Sequence, residues 1–137
     1  MFKYTKKVLK HFTSPQWAGK LKNPDVVSKV GNVRCGDLMW FYLKIKGDRI
    51  KEIKFQTYGC IAAIASADVL CGLARNKTIQ EAKKITAKQI IQKLGSLPAI
   101  KYHCALLSLN ALKKACLLYT SDAADEGLGV DLGGRRI

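Results

Sequence analysis

No run of about 18 uninterrupted apolar residues occurs in this 137-residue chain, which gives no support for a membrane-spanning helix. The N-terminus, "MFKYTKKVLKHF", places Lys among its apolar residues and so lacks the unbroken apolar stretch of a secretory signal. These absences predict a soluble, cytosolic protein. No Cys-x-x-Cys pair occurs either, which excludes a zinc ribbon with paired knuckles. The five cysteines are an odd number, unsuited to a closed disulfide framework, and in a reducing compartment they are expected as thiols or metal thiolates. Acids are scarce, ten against 24 Lys and Arg, for a net charge of +14. The basic residues are spread over nearly every segment, without a dense block or a nucleic-acid motif. They read as a solvated basic surface that prefers acidic protein partners, and a nucleic-acid partner is not favoured.

What is present suffices for one domain with a core, since 48% of the residues are hydrophobic. The last segment departs from the rest. From Cys116 onward, "CLLYTSDAADEGLGVDLGGRRI" has no Lys and carries four acids, giving a net charge of −2 against +16 for residues 1–115. It also lacks regular periodicity and resembles translated sequencing-adapter read-through. The expected organisation is therefore a domain over residues 1–115, its last helix cut off at Lys114 or Ala115, followed by a non-native or disordered tail over 116–137.

Within the domain, Val8, Leu9 and Phe12 predict a short, mobile N-terminal helix, and "TSPQWAGKLKNPD" predicts a loop. "VVSKVGNV" reads as a strand. "LMWFYLKIKGDRIKEIKFQTY" reads as a hairpin. A two-residue loop would set Leu43 opposite Glu52 and Phe41 opposite Lys54. A three-residue loop, Gly47 to Arg49, pairs Leu43 with Ile53, Phe41 with Phe55 and Met39 with Thr57, with Lys44 facing Glu52. This second register builds one apolar face and is preferred. Extended past the strands, it brings Gly36 beside Cys60, making Cys35 and Cys60 neighbours. "IAAIASADVLCGLAR" predicts a buried helix. Thr78 with Glu81 and Thr86 with Gln89 form capping-box patterns that open two short helices, and a last helix follows Cys104. The order gives an α+β domain, a small antiparallel sheet covered on one face by helices.

Three cysteines lie where chemistry is available. Cys35, in "CGD", has Asp37 two residues on, although a structural turn explains that tripeptide better when it is taken alone. Cys60, in "YGC", ends a strand and precedes a helix, where free N–H groups favour an anion. Cys104 stands at a helix start beside His103, two features that lower a thiol's pKa. Separated by 25 and 44 residues, the three can meet only through the fold. Cys35, Asp37, Cys60, His103 and Cys104 then compete for the four positions of a tetrahedral zinc or the terminal positions of a small iron–sulfur cluster. Cys71 reads as a small buried hydrophobe. Cys116 belongs to the anomalous tail, and His11 is assigned no role.

"CGD", "YGC" followed by "AIAS", "LPAIK" and "HC", in this order, resemble the IscU/NifU-type iron–sulfur cluster assembly scaffolds over residues 8–115. The resemblance implies the SufE/NifU-like fold, with a three-stranded antiparallel sheet and helices. It implies Cys35, Cys60 and Cys104 as cluster thiolates, Asp37 as the carboxylate that keeps the cluster labile, and His103 as an auxiliary ligand. It further implies a scaffold rather than an enzyme, which takes persulfide sulfur from a cysteine desulfurase, builds a transient [2Fe-2S] cluster and passes it to apo-proteins. Cys104 is the expected first persulfide acceptor, with Cys35 the runner-up. Hsp70 and J-type chaperones are further implied partners, through a loop that reads LPAIK, with Ala99 in place of the family's second Pro. The alternative is a zinc-dependent sulfurtransferase resembling the SufU-like proteins, with Zn2+ in the same site. Those proteins carry an insertion between the second and third cysteines and lack the His before the last, whereas this chain has a short interval and His103. A structural zinc protein is the third reading.

Overall fold

The computed structural model describes residues 4–32 and 37–124, with only the backbone described at residue 32 and at 121–124. Three strands, β1 (Val26–Asn32), β2 (Asp37–Lys46) and β3 (Arg49–Tyr58), form one antiparallel sheet in the order β1-β2-β3. Helix α1 (Lys6–Thr13) precedes them. Helices α2 (Ile61–Ala74), α3 (Ile79–Lys83), α4 (Ala87–Leu94) and α5 (Tyr102–Ala124) follow, with a 3-10 turn at Ala99–Lys101 leading into α5. This is the expected α+β architecture with a three-stranded antiparallel sheet. Among the described residues no helix is long and apolar enough to cross a membrane.

The hairpin keeps the register that the apolar pattern demands. Leu43 pairs with Ile53, Phe41 with Phe55, Met39 with Thr57, and Lys44 with Glu52. The turn itself differs from expectation. Lys46 pairs with Arg49 and Ile45 with Ile50, so the loop is the two residues Gly47 and Asp48, and the register shifts beyond Lys44. A two-residue turn and a single-apolar-face register are reconciled by a β-bulge that leaves Lys51 without an opposite residue. Gly47, at φ +67°, supplies the left-handed conformation such a turn requires.

Met39, Phe41, Leu43, Ile53 and Phe55, all on one face of the sheet, are 2% exposed or less. Each such side chain contributes about 2–3 kcal/mol by leaving water. They pack with α2, whose Ala62, Ala63, Ala65, Ala67, Leu70, Cys71 and Ala74 are fully buried. A helix apolar on most sides belongs inside a fold, and the small alanines let its neighbours approach closely. Cys71 is buried here as expected, and burial pushes its thiol well above the ordinary value, with the Asp68 charge adding to the effect. On β1, Ser28 is buried but satisfied, since its hydroxyl donates to the Ala111 carbonyl of α5 at 2.8 Å. Both capping boxes form, Thr78 with Glu81 and Thr86 with Gln89.

Two expectations for the ends of the domain are corrected. Helix α1 is docked rather than loose, and His11 has a role: its Nδ1 lies 2.6 Å from Oδ2 of Asp68 on α2. Asp68 is 1% exposed, and its Oδ1 accepts from the Trp17 N–H at 2.8 Å. The Thr5 hydroxyl also donates to the Leu94 carbonyl of α4. Trp17 in turn covers the free edge of β3, accepting from the Phe55 N–H, while Gly19 N–H donates to the Phe55 carbonyl.

At the other end, α5 does not stop at Lys114 or Ala115 but runs on to Ala124. Cys116 is fully buried, and Leu118 and Tyr119 pack against the core. The apolar positions Leu112, Ala115, Cys116 and Tyr119 continue one helical face, which the change of composition at Cys116 concealed. The described part of the proposed tail, residues 116–124, is thus helical. A chain ending at residue 115 is expected to lose about 1–3 kcal/mol of unfolding free energy against the full chain, since it gives up those buried contacts. Urea titrations with coincident midpoints would instead support the boundary at 115.

Candidate metal centre

The site forms where the start of β2, the start of α2 and the start of α5 meet. Asp37 opens β2, and Cys60 is the N-cap of α2 just past β3. The 3-10 turn hands the chain into α5, setting His103 and Cys104 in its first turn. Ligand atoms of Asp37, His103 and Cys104 all lie within 4.8 Å of one another. Cys60 joins them through its sulfur, 3.5 Å from that of Cys104. Four of the five residues singled out in the sequence therefore converge. The fifth, Cys35, lies outside the described residues, as does the proposed juxtaposition of Gly36 with Cys60.

Asp37 is 6% exposed, and among the described residues its Oδ2 has no hydrogen-bond partner. A buried carboxylate oxygen without a donor is costly unless a cation satisfies it. Gly59 makes room for this carboxylate. A Cβ there would stand 3.2 Å from the Asp37 Cγ and Oδ1 and 2.9 Å from the Ala63 Cβ. The glycine of "YGC" thus serves close approach rather than an unusual backbone angle.

His103 is oriented by the loop before it. Its Nδ1 lies 3.0 Å from the Ile100 carbonyl, an oxygen that can only accept, so the proton is on Nδ1. Nε2 then turns its lone pair toward the site, 3.6 Å from the Cys104 sulfur. A ligating histidine held by a backbone carbonyl on its other nitrogen is the usual arrangement around a protein-bound metal.

The two sulfurs are not equivalent. Cys60 is pulled down to about 5, first by its hydrogen bond with Cys104, against burial, with help from the Ala63 and Ala62 N–H groups and the Lys101 charge. Cys104 is raised, first by that same hydrogen bond, then by burial and by the charges of Cys60 and Asp37. Burial of Cys104 thus works against the lowered thiol that its place beside His103 at a helix start led one to expect. The 3-10 turn places Cys104 inside the helix, and its side chain is fully buried, whereas Cys60 holds the capping position and remains partly exposed.

Two contributors escaped the sequence reading. Lys101 is raised although burial opposes it, because Cys60, Tyr4, Cys104 and Asp37 act on it electrostatically. Tyr4 is raised chiefly by burial, with the two thiols adding to the effect and Lys101 opposing it. The position of Lys101 two residues before His103 was the available signal. Nothing local marks Tyr4, which reaches the site from the N-terminal segment.

The chain matches the NifU-like N terminal domain over residues 3–125. It belongs to that family. Two iron–sulfur cluster assembly scaffold proteins, IscU 1 and IscU 2 of Archaeoglobus fulgidus, are each 47% identical to this NifU-like chain over 116 residues, covering 85% of it and 76% of their own length. The scaffold protein IscU of Aquifex aeolicus is 40% identical over 116 residues, covering 83% of this chain and 74% of its own length. A crystal structure from Fervidobacterium islandicum, described as a cluster assembly scaffold for the SUF system, shares the fold. It has a TM-score of 0.70 at 24% identity, covering 82% of this NifU-like chain and 96% of the other.

Proposed function

We propose that this NifU-like protein is a scaffold on which an iron–sulfur cluster is assembled from iron and from sulfur supplied by a cysteine desulfurase, then handed to apo-proteins. The observation that carries the reading is the convergence of Asp37, His103 and Cys104 ligand atoms within 4.8 Å of one another, where one oxygen of the buried Asp37 has no partner among the described residues. The cluster is cargo, and the site's composition suits cargo. Thiolates bind iron strongly, while a carboxylate and an imidazole exchange more readily. Cys35, outside the described residues, is the third proposed thiolate. A [2Fe-2S] cluster is the proposed product, with Zn2+ the alternative occupant of the same ligands. A reducing compartment, which keeps thiols available as ligands, is the proposed setting, and among the described residues four cysteines are free.

Partner contact falls on the same end of the molecule. Tyr58, Ile100 and Tyr102, 69%, 66% and 45% exposed, stand within three residues of site residues. Exposed apolar side chains beside a site support docking of the desulfurase and acceptors there. The exposed Ile100 of "LPAIK" is likewise available to a chaperone of the Hsp70 class. The burial of Cys104 favours Cys60 as the point where persulfide sulfur enters, with Cys104 and Cys35 as alternatives. Peptide mass mapping after desulfurase treatment distinguishes the three, and sulfur first found on Cys104 would restore the sequence expectation.

The test is anaerobic reconstitution with ferrous iron, cysteine and a desulfurase, followed by transfer to an apo-ferredoxin. Visible cluster absorbance that moves to the acceptor is the expected result. Persulfide without any cluster would transfer the case to a zinc-dependent sulfurtransferase, which the scaffold relatives do not favour. Replacing Asp37 with Ala is expected to slow cluster loss several-fold, because the carboxylate is the readily exchanged ligand. An unchanged release rate, followed by absorbance against a chelator, would remove that role.

A further inference from the structure

The Cys60 and Cys104 sulfurs lie 3.5 Å apart, near van der Waals contact, on elements 44 residues apart in sequence. Their surroundings differ in a way that divides labour. Cys60 is partly exposed and can meet a sulfur donor, whereas Cys104 is fully buried and shielded from outside thiols. Among the described residues, neither of the other two cysteines is placed to substitute. Cys71 is three helical turns along α2 and buried in the core, and Cys116 is buried more than three turns along α5.

We propose that this pair releases sulfide from a persulfide with its own two thiols as the immediate electron donor, an inference that rests on the scaffold reading. The terminal sulfur is carried on Cys60. The Cys104 sulfur attacks the inner sulfur, that of Cys60 itself. A Cys60–Cys104 bond forms as the persulfide S–S bond breaks, and the electron pair of the broken bond leaves on the terminal sulfur. The proton of the Cys104 thiol goes with it, giving hydrogen sulfide. The delivered sulfur is reduced, and the two cysteine thiols together are oxidised to a disulfide, so the step balances. A reductant of the dithiol class restores the pair afterwards. Contact between the two sulfurs gives the attack the advantage of an intramolecular reaction. Attack on the terminal sulfur would instead only move the persulfide to Cys104.

The experiment uses the full chain, fully reduced and anaerobic, treated with cysteine persulfide as the sulfur probe and freed of excess donor. Sulfide is trapped with a bimane reagent, and the protein is followed by intact mass and disulfide mapping. The expected result is one sulfide released per Cys60–Cys104 disulfide formed. Release should be at least about tenfold faster than in Cys104→Ser, which stays one sulfur heavier. Disulfide mapping in the unaltered chain tests the step without relying on that variant. Retained sulfur, migration to Cys104 without a disulfide, or a disulfide to Cys35 would each overturn the proposal. A chain that builds and transfers a cluster yet forms no such disulfide loses this step alone. A chain that takes up no sulfur on either cysteine loses the scaffold reading as well.

Discussion

Cys60→Ser protein is expected to fold like the parent and to retain no iron–sulfur cluster through desalting. Cys60 occupies the N-cap of α2, a position where Ser is among the preferred residues, so a serine hydroxyl can take over the Ala62 and Ala63 N–H groups that the sulfur faces. The helix therefore loses nothing by the change. The cluster would lose a proposed ligand, the thiol that is partly exposed, lowered to about 5 and in contact with Cys104. A hydroxyl is a far poorer ligand for iron, and the loss of a direct ligand should exceed the roughly 10–100-fold weakening typical of an outer-shell change. Iron and sulfide per chain after reconstitution, beside a thermal melt, measure both halves of the expectation. Stoichiometric cluster with an unchanged melt would remove Cys60 from the ligand set. Cys71→Ala is the matched control, since Cys71 is buried among apolar residues of the same helix. It should lower stability modestly and leave cluster loading intact.

Asp68→Ala is expected to cost about 2–4 kcal/mol of unfolding free energy, a large fraction of the stability of a domain this size. Asp68 is almost wholly buried and spends both oxygens on distant partners, His11 on α1 and the Trp17 N–H that precedes the β3 edge contact. Alanine frees both at once. His11 is 34% exposed and can turn to water, which reduces its share of the cost, whereas the Trp17 N–H loses its acceptor. A cavity of about 330 Å³ lined by His11, Trp17 and Asp68 adjoins the contact, so repacking will not recover the loss. Asp68→Asn, which keeps an acceptor for Trp17, should cost less. Denaturant titration measures the difference, and limited proteolysis should cut the N-terminal segment faster in the alanine variant. Equal stability of parent and Asp68→Ala would show that α1 is held by its apolar contacts alone.

The fold was legible wherever a pattern is local. The hairpin register followed from which pairing gathers Phe41, Phe55, Leu43 and Ile53 on one face, since a one-residue slip would turn all of them to water. The capping boxes at Thr78 and Thr86 were legible because both partners lie within four residues. The bulge near Lys51 was not, because no residue pattern marks where the backbone uncouples register from turn length. The continuation of α5 was missed for a different reason. A sharp change in charge outweighed an apolar face that persists through Cys116 and Tyr119.

The site divides along the same line. Residue identity and order sufficed to single out Asp37, Cys60, His103 and Cys104 as candidates that the fold brings together, because few side chains offer metal-binding sulfur, nitrogen or oxygen. The sequence by itself also determined the α+β class and the basic surface, properties carried by composition and short-range periodicity. Only the tertiary structure decided which thiol is sheltered and which is reachable, that Gly59 exists to admit a carboxylate, that Lys101 and Tyr4 border the sulfurs, and that His11 meets Asp68. Those facts depend on packing between segments tens of residues apart. Burial and proximity across such distances are set by how helices seat on a sheet, and no window along the chain contains them.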